Sequence, residues 1–94
     1  METLKMETYE CVWDALEDTP LEAERMRVKS NLMLRIRDII DDNGWSQTEA
    51  ARRCGVTQPR MSDLYRGKIS KFSIDALLDM ATSLGKRVEI ALEG

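Results

Sequence analysis

The side chains best suited to chemistry lie between Gln58 and Arg66. Gln58 and Arg60 carry amide and guanidinium groups, which can form paired hydrogen bonds with purine edges in the major groove of DNA. Ser62, Asp63 and Arg66 follow at spacings that place them on the same outward face of a helix. These residue types in this arrangement predict contacts with base edges and phosphates.

Other kinds of chemistry have little support in this inventory. The 94 residues include no histidine and only two cysteines, Cys11 and Cys54, so the usual Cys/His metal sites are hard to build. No nucleophile–base pair, paired-carboxylate motif or glycine-rich phosphate loop stands out, and histidine, the commonest general base, is missing. We expect no metal, no cofactor, no small-molecule substrate and no enzymatic activity.

The formal net charge of −3 conceals a strong asymmetry along the chain. Residues 1–30 carry eight acidic and four basic side chains, whereas residues 31–72 carry eight basic and five acidic ones. Residues 73–94 are acidic again, with four acidic and two basic side chains. This distribution indicates a basic working face between two acidic flanks.

A long helix is predicted to precede this basic segment. Apolar residues recur at helical spacing from Leu21 to about Asp42. Thr19 is a suitable N-cap with Pro20 in the first helical position, and Asn43-Gly44 favours the left-handed backbone that ends a helix.

Two short helices then follow, separated by a tight turn. Ser46 is predicted to cap the first, which runs to Cys54, and Thr57 to cap the second, which runs to about Arg66. Gly55 supplies the positive φ that the turn requires, and the small Ala51 suits the crossing of the two helices. The spacing predicts that the inward side chains are Ala50, Cys54, Val56, Met61 and Leu64.

The remaining elements are a fourth helix and one strand. Ser73 is predicted to cap a helix that ends at Leu84-Gly85, and residues 87–92 alternate between apolar and other side chains as a strand does. A lone strand must pair with something, within this chain or in another, to satisfy its backbone. Residues 1–18 are expected to be an acidic, partly ordered arm in which a short helix could form.

The sequence therefore predicts an all-α domain of four or five helices at 19–94, with a C-terminal strand, preceded by the arm at 1–18. A chain this short buries a small core, which favours assistance from a second copy. We expect a homodimer formed by pairing of the strands through Val88, Ile90 and Leu92, with the helix at 74–84 packed against its mate. No segment approaches the ~20 apolar residues of a membrane span, and the acidic N-terminus is unlike a secretory signal, which predicts a cytoplasmic protein without membrane contact.

A set of spaced residues in and around the two short helices forms a pattern: Ser46-Gln47, Ala51, Gly55-Val56, Thr57-Gln58, Met61-Ser62, Leu64 and Gly67. This pattern resembles that of the Cro/phage-repressor (XRE) helix-turn-helix family. The longer run from Gly44 to Leu92 resembles more narrowly the HigA-type antitoxins of toxin–antitoxin operons. Both resemblances imply a transcriptional repressor that binds an inverted repeat of double-stranded DNA as a twofold dimer.

The resemblance also implies roles for residues at matching positions. Gln47 would contact the DNA backbone, Thr57 and Gln58 would reach phosphate and base edge, and further groove-facing candidates are Arg60, Ser62 and Asp63. Phosphate contacts, which set register without reading sequence, would come from Arg66, Lys68 and Lys71. Pro59 stands where better-known repressors often have a polar reader, so the base code is open.

An antitoxin would also bind and neutralise a RelE/HigB-like ribonuclease toxin. The acidic arm complements a basic toxin in charge, and its apolar residues Tyr9, Val12, Trp13 and Leu16 are candidate contacts. The aromatic residues of the arm could instead fold back as a small satellite core. A stand-alone regulator without a toxin is the alternative function. Two alternatives come from other classes. One is a protein-interaction module that binds no DNA, against which the basic 46–71 stretch argues, and the other is an enzyme.

Overall fold

The computed structural model describes the backbone of residues 2–8 and the whole of residues 19–92. Strand β1 spans Glu2–Thr8 and helix α1 spans Pro20–Asn43. Helices α2 and α3 span Gln47–Cys54 and Gln58–Tyr65, and a 3₁₀ turn follows at Ile69–Lys71. Helix α4 at Ile74–Ser83 and strand β2 at Lys86–Leu92 complete the described chain. The all-α prediction, with four helices and a C-terminal strand, is confirmed.

Each predicted helix begins at the residue whose side chain suits a cap. The hydroxyl oxygen of Thr19 accepts a hydrogen bond from the backbone N–H of the third residue beyond it. Ser46, Thr57 and Ser73 do the same for α2, α3 and α4, at distances of 3.2, 3.3 and 3.0 Å. Because the first N–H groups of a helix have no partner inside it, these hydroxyls fix where each helix starts.

The helices that follow α1 are separated by left-handed glycines. Gly55, between α2 and α3, has φ +71°, and Gly67, after α3, has φ +69°. Residues with a Cβ rarely adopt this backbone conformation, which glycine adopts readily. These two glycines therefore let the chain turn where the helices end. The Gly55 N–H bonds to the Arg52 carbonyl, which closes α2.

The core lies where α1, α2, α3 and α4 meet. Predicted inward residues of α2 and α3 are buried, with Cys54 at 3% exposure and Met61 and Leu64 at 0%. Val56 is partly buried against the same cluster. The other members of the cluster are Val28, Leu32, Met33, Ile36, Ile40, Ala50, Ala51, Phe72, Leu77 and Met80. The helices thus hold α3 by its apolar face and leave its opposite side outward.

The two strands pair with each other in parallel, from Glu2 beside Lys86 to Thr8 beside Leu92. The strand at 2–8 differs from the sequence expectation of a partly ordered arm in which a short helix could form. It went unpredicted because its partner lies at the other end of the chain, beyond the reach of local patterns. Of the two pairing alternatives for the C-terminal strand, pairing within the chain is observed.

Only part of the apolar side of β2 is covered. Val88 packs against the core cluster, whereas Ile90 is 47% and Leu92 90% exposed. The described sheet has two strands, so β2 contacts β1 along one edge only.

In the part of the chain that the structure describes, no helix combines the length and the apolar character that a membrane span requires.

Candidate nucleic-acid interface

Helices α2 and α3 form a compact unit joined by the turn at Gly55. Ala51, predicted at the crossing of the two helices, is 3% exposed. The Val56 N–H donates to the Ala51 carbonyl at 3.0 Å, so the turn folds back directly onto α2. This arrangement fixes the start of α3 against α2 and presents the first residues of α3 to solvent.

The first residue of α3 is tied to the first turn of α2. The Gln58 side-chain amide, through Nε2, donates a hydrogen bond to the Thr48 hydroxyl oxygen. Gln58 and Thr57 are both exposed, and the Thr57 hydroxyl is used as the helix cap. Since the bond to Thr48 uses one amide proton, Gln58 keeps one N–H and its carbonyl oxygen for other partners.

Arg60 lies against an aromatic ring. Its guanidinium carbon is 4.7 Å from the centroid of the Phe72 ring, within the range of a cation–π contact. Phe72 is 1% exposed and precedes α4, whereas Arg60 is half-buried. The stacking holds the guanidinium flat and restricts the directions in which its N–H groups can donate.

The C-terminal end of α3 carries the predicted cations. Arg66, Lys68 and Lys71 are exposed around the turn at Gly67. The Lys68 ammonium lies 3.7 Å from a carboxylate oxygen of Asp63, and both side chains are partly exposed. Asp63 therefore faces a cation of its own chain, while no ion pair among the described residues involves Arg66 or Lys71.

The predicted DNA-contacting residues thus lie at the entrance of α3, along the helix and in the turn that follows it. Gln47, Thr57 and Gln58 are exposed at the α2–α3 entrance, and Ser62 is half-buried farther along the helix. The candidate toxin contacts Tyr9, Val12, Trp13 and Leu16 lie outside the described residues. The candidate dimer contacts Val88, Ile90 and Leu92 lie on β2, away from this surface in the chain.

Comparison with known proteins gives two agreeing results. A family model described as a helix-turn-helix domain matches residues 15–93. A solved structure provisionally named an XRE-family transcriptional regulator matches with a TM-score of 0.70 and 33% sequence identity, covering 77% of this chain and 81% of that one. This chain belongs to the XRE helix-turn-helix family. No functionally curated protein matches it.

XRE-family proteins are DNA-binding transcription regulators, and the polar surface of α3 in this XRE domain accords with that activity.

The basic side chains of the domain differ in whether an acidic side chain of the same chain already pairs with them. Glu49 contacts Arg52 through both carboxylate oxygens and Arg53 through one, with the Nε of each arginine 2.9 Å away. These hydrogen bonds, that from Arg52 first, lower the pKa of Glu49 to about 2. The two arginines of α2 thus already have a counter-charge.

The junction of α1 with α3 in this XRE domain is polar at its edge. The Tyr65 hydroxyl donates to an Asp41 carboxylate oxygen at 2.8 Å, and the Arg37 guanidinium lies 4.9 Å from the Tyr65 ring centroid. Burial, followed by the bond to Asp41, raises the pKa of Tyr65 to about 12. The last residue of α3 is therefore held to α1 by a neutral phenol over the physiological range.

Three contributors to this surface were missed from the sequence of the XRE domain. Glu49 could have been found, because spacings of three and four residues to Arg52 and Arg53 place all three side chains on one helix face. Thr48 and Phe72 could not, since each meets its partner across a turn or from another element. Their roles in orienting Gln58 and Arg60 depend on tertiary packing.

Proposed function

We propose that this XRE protein is a sequence-specific repressor that places α3 in the major groove of double-stranded DNA. The observation that carries the proposal is the exposed entrance of α3, where Gln58 retains a donor and an acceptor for a base edge. An amide with one N–H and one carbonyl oxygen free matches the paired acceptor and donor of adenine.

The cations at the other end of α3 supply the second part of the proposal. Arg66 and Lys71 are exposed and, within the described chain, make no ion pair, so they are available to phosphates. Lys68 can exchange its contact with Asp63 for a phosphate. Phosphate contacts from Gln47, Thr57 and these cations would fix the register in which Gln58, Arg60, Ser62 and Asp63 meet the bases.

A gel-shift titration with the DNA upstream of the gene tests this assignment. Changing Gln58 and Arg60 together to Ala should abolish specific binding, whereas Arg35→Ala should not. Arg35 is an exposed arginine on α1 and serves as the charge-matched control. Unchanged affinity of the double variant, with its circular dichroism spectrum intact, would refute the role of α3.

We further propose that the protein acts as a homodimer on an inverted repeat, with contacts through β2. The exposure of Ile90 and Leu92 and the second edge of β2 support a strand-mediated interface. A twofold dimer would place two copies of α3 about one turn of DNA apart. The helix at 74–84 has less to offer a mate than its pattern suggests, because Leu77 and Ala81 are buried in its own domain.

Sedimentation tests this interface. Ile90→Glu with Leu92→Glu should shift the protein toward monomer, and Leu21→Glu, at another exposed leucine, should not. Removal of residues 87–94 should have the same effect but would also deprive β1 of its partner. An unaltered dimer in the double variant would place the interface elsewhere.

The antitoxin role is the finer part of the proposal: the protein represses its own operon and neutralises a RelE/HigB-like toxin. Its support is the resemblance over Gly44–Leu92 and the acidic segment 1–30, which complements a basic partner. A stand-alone XRE regulator is the alternative. A toxin-like reading frame next to the gene favours the first, and its absence favours the second.

Toxin capture can be separated from folding. Tyr9→Ser with Trp13→Ser should weaken pull-down of the neighbouring gene product while leaving DNA affinity unchanged. These substitutions spare the strand at 2–8, which a deletion of residues 1–18 would remove along with the arm. Undiminished capture by the double variant would contradict the role of the aromatic residues.

A further inference from the structure

A small pocket lies between the middle of α1 and the end of α3. Its volume is about 190 Å³, and its wall is largely apolar. Met33 and Leu34 contribute from α1, Leu64 from α3, and Gly67 and Ile69 from the turn that follows α3. A Cβ placed on Gly67 would meet no atom within 4 Å, so the space beside this glycine is open.

One charged residue, Arg37, lines the pocket. Its Nε is buried without a hydrogen-bond acceptor, and the guanidinium takes part in none of the ion pairs that the described residues form. The nearby Asp41 carboxylate accepts from Tyr65, whose ring lies against the Arg37 guanidinium. Arg37 therefore brings a positive charge without a counter-charge to the wall of an apolar pocket, and an anionic group bound there would supply that counter-charge.

We propose that this pocket binds a small apolar monocarboxylate. The carboxylate would accept from Arg37, and the apolar body would pack on Leu34, Leu64 and Ile69. The volume is below the range of about 300–1,000 Å³ typical of drug-sized ligands, which restricts the ligand to a short alkyl or single-ring acid. Charge complementarity with Arg37 favours an acid over an alcohol or amine of the same size.

Occupancy of this pocket should change DNA binding, a consequence that rests on the proposed function. Leu64, Gly67 and Ile69 belong to the end of α3 and to the turn that carries Lys68 and, at its end, Lys71. A ligand that packs against these residues has a higher affinity for one position of the turn than for others. Binding therefore shifts the protein toward that position. The pocket is thus an effector site at the C-terminal end of α3.

The binding test uses hexanoate and the full chain, without DNA. Methyl NMR signals of Leu64 and Ile69 should shift saturably, with a dissociation constant on the order of 1 mM for so small a ligand. Hexan-1-ol, which has the same alkyl body, should bind at least about tenfold more weakly. Absence of a saturable shift at 50 mM hexanoate, or equal binding of the alcohol, would overturn the proposal.

Two sets of variants separate the site from general folding defects. Arg37→Met keeps the length and apolar stem of the side chain and should weaken hexanoate at least about tenfold. Leu34, which is 54% exposed at the pocket, tolerates replacement, so Leu34→Glu should repel hexanoate while Leu34→Gln should retain most binding. Equal affinity in Leu34→Glu and Leu34→Gln would also refute a carboxylate site.

The effector role is measured separately, as the change in affinity for upstream DNA at saturating hexanoate. A change of about threefold or more in wild type, absent in Arg37→Met, is expected. Hexanoate binding with unchanged DNA affinity would refute the effector role and leave the site intact. If the ligand-free wild-type protein shows no specific DNA binding, the proposed function is wrong. The NMR titration would still report whether the pocket binds hexanoate.

Discussion

The helical region from Thr19 to Gly85 and the two-stranded sheet at the chain ends are built in different ways. Each helix has a hydroxyl cap at its start, and the helices share one buried cluster. The sheet has two strands, and one residue of β2, Val88, packs against that cluster while Ile90 and Leu92 are exposed. An isolated pair of strands is marginally stable in water, whereas packed helices are not. The comparison indicates that the helices form the stable unit and that the sheet depends on it.

The largest expected effect comes from the buried face of α1. Leu32→Ala removes a side chain with 0% exposure and should lower the free energy of unfolding by about 2–5 kcal/mol. Leu34→Ala, two residues along the same helix and 54% exposed, should change it by less than about 0.5 kcal/mol. Urea denaturation measures both, and similar losses would mean that the core has been misplaced.

The turn at Gly55 should give an intermediate effect. With φ at +71°, Ala at this position would be strained by roughly 1–2 kcal/mol, although the nearest non-local atom to its Cβ, Ser83 Oγ, is an acceptable 3.7 Å away. Gly55→Asn should be better tolerated, because Asn visits the left-handed region more readily. Thermal unfolding of the two variants decides this, and a more stable Ala variant would contradict conformational strain as the cause.

Deletion of residues 1–8 should have a smaller effect on the helices. Amide exchange of residues 86–92 should become fast once β1 is gone, while the amides of α1 and α4 stay protected. The matched comparison is with Leu32→Ala, which should raise exchange throughout the helices. If deletion of the strand exposes the helical amides as well, the sheet is part of the cooperative unit and the proposed contrast fails.

The α2 cluster of Glu49, Arg52 and Arg53 should come apart only in strong acid. The pKa of Glu49 is lowered to about 2 from an ordinary 4.5, so its pairing is fully present above about pH 4.5 and is lost as the pH falls through about 2. NMR titration of the carboxyl carbon should give a midpoint near 2, and Arg52→Gln with Arg53→Gln should return it toward 4.5. A midpoint near 4.5 in the wild type would show that the arginines do not hold this carboxylate.

The same contrast explains what the sequence could predict. Caps at Thr19, Ser46, Thr57 and Ser73 are local signals, and all four were predicted at the residue where the structure has them. The strand at 2–8 was not, because its alternation rests on only two apolar residues, Leu4 and Met6, and its partner is remote in sequence. Local patterns report propensity, and pairing of the chain ends is decided by the packed helices between them.

The candidate interface divides along a similar line. The sequence singled out Gln58 and Arg60 by residue type, and in the structure Gln58 is exposed and Arg60 half-buried on α3. The orienting partners Thr48 and Phe72 became visible only when the helices were packed. Which bases these side chains read stays a prediction, to be tested on DNA.

The parallel register of β1 and β2 has a mechanical consequence. Because the strands run in the same direction, Glu2 and Leu92 lie at opposite ends of the sheet. A force that pulls these two residues apart along the strands loads all the inter-strand hydrogen bonds at once, in shear, instead of peeling them one by one. Stretched between its ends, the molecule should therefore resist until the whole ladder slips, and the sheet that contributes little at equilibrium would act as a mechanical clasp around the helices.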